Sequence, residues 1–215
     1  MVNDEFDYSL HVFKSPEFES IVKKAVEFFI QTPVHLLPSP HRFSGPGVYG
    51  LYYLGDFELY SPIVERNRQE IAQPIYIGKA VAPGTRTART RTGNSSTLLG
   101  RLNEHAHSIL AATNLKIEDF RCRFMVLDGI ERELIVPVES ELIRTFKTVW
   151  NSCIDGFGIH DPGSGRYNQQ HSEWDTLHPG RTWAEKLTGT PRDPNAIRAK
   201  VKQFLAEPSQ EIEPH

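Results

Sequence analysis

The chain has 215 residues, a net charge of −3, 39% hydrophobic residues and a mean hydropathy of −0.42. That length supports one principal domain with embellishments around a real core. No apolar run approaches the roughly 20 residues that span a bilayer, and the acidic opening (Asp4, Glu5, Asp7) is unlike a secretory signal. A cytoplasmic protein with no membrane partner is therefore expected. Only Cys122 and Cys153 are present, which suits two reduced thiols and offers no zinc-binding Cys pair.

Residues 17–30 place Phe18, Ile21, Val22, Ala25, Val26 and Phe29 at helical spacing, after a Ser15-Pro16 start signal. Residues 32–47 are rich in Pro, Ser and Gly and predict a wrapping loop. A strand over 48–54 follows. Residues 55–73 form an insertion with no legible structure, and a second strand covers 75–79. A polar loop runs to residue 97 and a helix spans 98–112. Residues 120–127 alternate as a third strand, with Phe120, Cys122, Phe124 and Val126 on one face and Arg121 and Arg123 on the other. A helix over 137–149 carries its proline in the first turn. Residues 154–181 are polar and irregular, a last helix covers 195–206, and the tail is charged. The expected fold is α/β (α+β): a small, mostly antiparallel three-stranded sheet flanked by helices. Its expected divisions are an N-terminal helix and loop (1–46), a core (47–153) and a C-terminal region (154–215).

Charge is unevenly spread. Between Glu70 and Glu104 there is no Asp or Glu, while Lys79, Arg86, Arg89, Arg91 and Arg101 all fall there. Such a stretch is either a solvated basic loop or a patch that tracks phosphates. Interleaved threonines add hydroxyl donors suited to phosphate oxygens.

Two tripeptides, Gly47-Val48-Tyr49 and Tyr76-Ile77-Gly78, lie in the first two predicted strands. Arg101 and His105, four apart, share one face of the 98–112 helix. That face is either plain polar surface or a guanidinium and an imidazole aimed at a phosphate. On the 137–149 helix, Glu139 shares the stripe of Leu142, Ile143 and Phe146, whereas Glu141 falls with Arg144, Thr145 and Thr148. A carboxylate on a buried stripe is costly unless paired or metal-bound. Glu139 can equally favour the helix dipole or hold a hard divalent cation. Asn151 ends this stretch, as a helix-ending asparagine would.

The order and chemistry of these residues resemble the GIY-YIG nuclease superfamily over residues 47–151. Within it the likeness is strongest to the type II restriction endonuclease that cuts CCGCGG. The resemblance implies a DNA phosphodiesterase with catalytic Tyr49, Tyr76, Arg101, His105, Glu139 and Asn151. Glu139 would bind one Mg²⁺, with Mn²⁺ as a substitute. It further implies a homodimer on double-stranded palindromic DNA, a cognate DNA methyltransferase as genetic partner, and a bacterial cytoplasmic setting. The chain departs from the superfamily in its long 55–73 connection. DNA contacts are expected from Lys79, Arg86, Arg89 and Arg91, and from Arg166, Asn168, Gln169, Gln170 and His171. Arg reads guanine bidentately and Asn or Gln reads adenine, although an ordinary surface loop has the same composition. The alternatives are a repair or mobile-element nuclease of the same superfamily, or a DNA-binding module that has lost catalysis.

Overall fold

The computed structural model describes residues 6–81 and 97–207. In chain order its main elements are α1 (Pro16–Gln31), β1 (His35–Leu36), β2 (Gly47–Tyr53), α2 (Ser61–Arg66), β3 (Tyr76–Ala80) and α3 (Thr97–Ala111). Then come β4 (Phe120–Val126), α4 (Ile135–Phe146), a π-helical turn (Val149–Cys153), α5 (Glu173–Leu177) and α6 (Pro194–Ala206). The fold is mixed α+β, as expected. The sheet, however, has four strands rather than three, in the order β1-β4-β2-β3, with every pairing antiparallel. The additional strand comes from the wrapping loop: His35 and Leu36 pair with Cys122 and Arg121. Two residues are too few to carry a hydrophobic period.

Both faces of the sheet are covered. On one, Val22, Val26 and Phe29 of α1 and Ile135, Val138, Leu142 and Phe146 of α4 pack on Val48, Ile77 and Met125. On the other, Leu102, Ala106 and Ile109 of α3 pack with Tyr49, Leu51 and Tyr53, alongside Trp150, Phe157 and Trp174 from the C-terminal half. Each Val, Leu, Ile, Phe or Met among them contributes about 1.5–3 kcal/mol on burial. Helix α1 starts where Ser15 accepts from the Phe18 N–H at 3.2 Å, with Pro16 in its first turn.

The expected alternation of β4 holds, with Phe120, Cys122 and Phe124 on the α3 side and Met125 on the other. Because both faces are covered, Arg123 is buried, while Val126 at the strand end is 44% exposed. The Arg123 guanidinium donates to the carbonyls of Ile30, Thr32 and Ile71. It thereby satisfies carbonyls at the C-terminal end of α1, where positive charge is favoured.

The 55–73 insertion is a folded part of the core. Tyr60 is fully buried; its hydroxyl accepts from Trp150 Nε1 at 2.9 Å and lies 2.7 Å from His178 Nε2. Asn67 accepts from the N–H groups of Ala72 and Gln73 and closes the return toward β3. Residues 154–181 are also more ordered than their composition predicts. They contain α5, capped by the Ser172 hydroxyl accepting from the Asp175 N–H at 3.0 Å. Cys122 and Cys153 are both free and buried. Among the described residues, no helix is long and apolar enough to cross a membrane.

Candidate active site

The β2–β3 register sets Tyr49 opposite Gly78. A Cβ on Gly78 would sit 2.4 Å from the Tyr49 hydroxyl, so only glycine leaves room for that phenol. The Tyr49 hydroxyl meets Nε2 of His105, one turn along α3 from Arg101, at 2.6 Å. Tyr76 lies beside both, with ring centroids 6.3 Å from Tyr49 and 5.1 Å from His105.

Burial dominates the electrostatics here. It pushes the Tyr49 phenol well above its ordinary pKa, and Tyr76 up as well, while the Arg101 charge acts in the opposite direction on both. Burial, with Arg101 second, depresses His105 to about 3. The imidazole is therefore neutral at physiological pH. With its proton on Nδ1, its Nε2 accepts the Tyr49 O–H. Arg101 is anchored through Nη1, which donates to Glu104 Oε2 at 2.5 Å and meets His160 Nε2 at 2.7 Å.

Alternation along β3 turns Tyr76 and Gly78 toward α3, and Ile77 and Lys79 toward α4. On that second side the Glu139 carboxylate, 13% exposed, binds the Lys79 ammonium. Glu141 pairs instead with Arg144 on its own helix, as the helical phase predicts. Strand β3 is a sheet edge, and Asn151 closes it. The Asn151 Oδ1 accepts from the Ile77 N–H at 2.8 Å and from the Thr148 hydroxyl at 2.7 Å, while Nδ2 donates to the Ile77 carbonyl at 2.8 Å. The side-chain amide thus stands in for a missing neighbouring strand. Of the six residues expected at the site, Tyr49, Tyr76, Arg101 and His105 cluster on the α3 side of this edge, Glu139 lies with Lys79 on the α4 side, and Asn151 holds the β3 backbone between them.

A family model for the Eco29kI GIY-YIG domain matches residues 41–205, about three quarters of the chain. The chain belongs to this GIY-YIG restriction endonuclease family. A search of curated proteins found no significant match. In this GIY-YIG nuclease Tyr49 and Tyr76 sit on adjacent strands, β2 and β3, and Arg101 and His105 on α3 beside them.

The expected DNA contacts are distributed unevenly in this GIY-YIG nuclease. Lys79 lies in the site itself, on Glu139. Arg166, Asn168, Gln169 and Gln170 are exposed, and Arg166, Gln169 and Gln170 line a surface groove of about 530 Å³. His171 is half-buried and lies 2.6 Å from the Ala184 carbonyl through Nε2. Arg86, Arg89 and Arg91 lie outside the described residues. His160, His171 and His178 do not converge, and among the described residues no cluster of three or more His, Cys, Asp or Glu side chains could hold a metal.

The sequence did not point to the segment that closes the site. Phe157 stacks on His105 with centroids 4.6 Å apart and an interplanar angle of 16°, and meets Tyr76 edge-on at 4.9 Å. Gly156-Phe157-Gly158 reads as ordinary loop, and the ring contacts of Phe157 with Tyr76, His105 and Trp174 are with residues distant in sequence. The single usable signal was the glycine pair flanking an aromatic.

Proposed function

We propose that this protein is a Mg²⁺-dependent type II restriction endonuclease. It would cut double-stranded DNA at a short palindromic GC-rich site, CCGCGG by resemblance. The observation that carries the reading is the buried Tyr49–His105 hydrogen bond of 2.6 Å beside Arg101. A phenol bonded to a neutral imidazole is suited to relay a proton, and a guanidinium next to it is suited to a phosphate.

In this reading Tyr49 takes the proton of the attacking water and passes its own to Nε2 of His105. An isolated phenol is a poor base at neutral pH, and burial makes it poorer still. The permanent charge of Arg101 offsets part of that penalty and would stabilise the charged pentavalent phosphate. Tyr76, less buried than Tyr49, would orient water or phosphate. Asn151 would hold β3, and with it Tyr76 and Lys79, in register.

The donor set suits Mg²⁺. Glu139 is a hard carboxylate already paired with a cation, the Lys79 ammonium, and Mg²⁺ usually takes only one or two protein carboxylates and keeps several waters. Glu139 would hold it, and the ion would supply Lewis-acid stabilisation of charge on the phosphate oxygens. Lys79 would then turn to the DNA backbone. The exposed Arg166, Asn168, Gln169 and Gln170 would contact DNA with His171 and the arginines of residues 86–91. A palindromic target calls for a two-fold homodimer, each subunit cutting one strand, and for a cognate methyltransferase in a bacterial cytoplasm.

The test is a paired digest with Mg²⁺ of two duplexes, one carrying a central CCGCGG and one with those bases scrambled. Cutting of the first alone, at symmetry-related positions on both strands, is the expected result. Equal cutting of both would remove the site-specific reading and leave a less selective nuclease.

A further inference from the structure

The segment after the π-helical turn is fixed with unusual rigour for a loop. Arg181, 3% exposed, donates to both oxygens of the buried Asp175, at 2.6 Å from Nε and from Nη2. The same guanidinium donates to the carbonyls of Gly156, Phe157 and Ile159 at 2.9, 3.2 and 3.4 Å. Trp174 and Trp183 both lie against it, at 4.6 and 4.7 Å. The loop has little room to shift. A Cβ at Gly156 (φ +102°) would fall 2.0 Å from the Ser172 hydroxyl, and one at Gly158 would fall 2.8 Å from the Tyr76 hydroxyl.

His160 stands at the end of this fixed stretch. Its Nε2 lies 2.7 Å from Arg101 Nη1, the guanidinium that the proposed mechanism aims at the phosphate. Arginine has no acceptor, so Arg101 donates and the His160 Nε2 accepts. Residues on this same segment, Arg166, Gln169 and Gln170, line with His160 the groove beside the site. His160 is thus the residue at which the groove wall touches the catalytic cluster.

We propose that His160 is a positioning residue for Arg101, which it orients toward the scissile phosphate from the loop that Arg181 fixes. This rests on the endonuclease reading. Glu104 holds the same Nη1 from within α3, one helical turn from Arg101. His160 supplies the second point, from outside the helix, that fixes the fork's direction. Misplacing a phosphate-binding group by about 1 Å can cost on the order of 100-fold in rate.

The test uses the full chain, Mg²⁺ and plasmid DNA carrying CCGCGG. Cleavage rate at saturating DNA, DNA affinity without metal, and melting temperature are measured for wild type, His160→Ala and His160→Gln. The His160 side chain is 64% exposed, so both variants should fold. His160→Ala should lower the saturated rate roughly 10- to 100-fold, with affinity and melting temperature within about two-fold and two degrees of wild type. His160→Gln, whose amide oxygen can accept from Arg101, should recover most of that rate. In an Arg101→Ala background, His160→Ala should add almost nothing. An unchanged rate in His160→Ala, or a loss that glutamine does not recover, would overturn the proposal while leaving the endonuclease reading intact. Absence of cleavage by the wild type would remove both.

Discussion

The Tyr49 hydroxyl oxygen lies 2.6 Å from Nε2 of His105, and both side chains are buried, at 0% and 3% exposure. A buried hydroxyl needs a partner, and this partner is neutral because burial has depressed its pKa. One arrangement therefore satisfies a core requirement and prepares a proton path.

The two partners should respond differently to substitution. Tyr49→Phe removes the proton relay while keeping the ring but leaves the buried Nε2 of His105 without its donor, so cleavage should fall by about 10²-fold or more with a loss of stability of about 1 kcal/mol. His105→Ala strands the phenol hydroxyl and opens a cavity, so it should also destabilise by about 1–3 kcal/mol. Digestion rates and urea denaturation of the two variants separate these effects. Wild-type cleavage by Tyr49→Phe would refute its role as base.

Stability should depend on two buried histidines. His105 and His178 are both depressed to about 3, chiefly by burial. Their unfolded pKa is about 6.5, so below that pH the unfolded chain binds protons that the folded chain refuses. Their contribution is complete above about pH 6.5 and is lost as pH falls toward 3, at up to ~1.4 kcal/mol per pH unit for each histidine. Urea midpoints measured from pH 7 to 4.5 should fall less steeply for His178→Gln than for wild type. Parallel slopes would contradict the account.

Gly78→Ala tests the close approach under Tyr49. The added Cβ would lie 2.4 Å from the hydroxyl oxygen, and a fully buried ring has no space into which to retreat. Overpacking of this kind costs about 1–3 kcal/mol. Cleavage should be lost together with the Tyr49–His105 bond. A variant as stable and as active as wild type would show that the register around Tyr49 is looser than described.

Asn151 should matter through β3. Its amide makes two hydrogen bonds to the Ile77 backbone. Asn151→Ala leaves both Ile77 groups unpaired, which predicts about 1–3 kcal/mol of destabilisation and reduced cleavage. Asn151→Asp keeps the bond to the Ile77 N–H but sets a carboxylate oxygen against the Ile77 carbonyl, so it should not restore stability. Hydrogen exchange at the Ile77 amide is the direct readout, and unchanged protection in Asn151→Ala would contradict this role.

Much of this was legible in the sequence because it is local or periodic. Helical phase separated Glu139, which meets Lys79, from Glu141, which meets Arg144. Ser15-Pro16 marked the start of α1, and the two tripeptides marked adjacent strands. What was not legible depends on distant partners. The burial of Arg123 was not legible because the carbonyls it satisfies come from residues 30, 32 and 71. The 55–73 insertion looked featureless because Tyr60 meets Trp150 and His178 far along the chain. Phe157 and His160 carried no motif, and their meaning comes from Arg181, His105 and Arg101.

The most direct test of the central claim is a plasmid digest with purified protein, with and without Mg²⁺, beside Glu139→Ala. The account predicts discrete fragments that require Mg²⁺ and are absent with the variant. Metal-independent cutting, or equal cutting by Glu139→Ala, would contradict it.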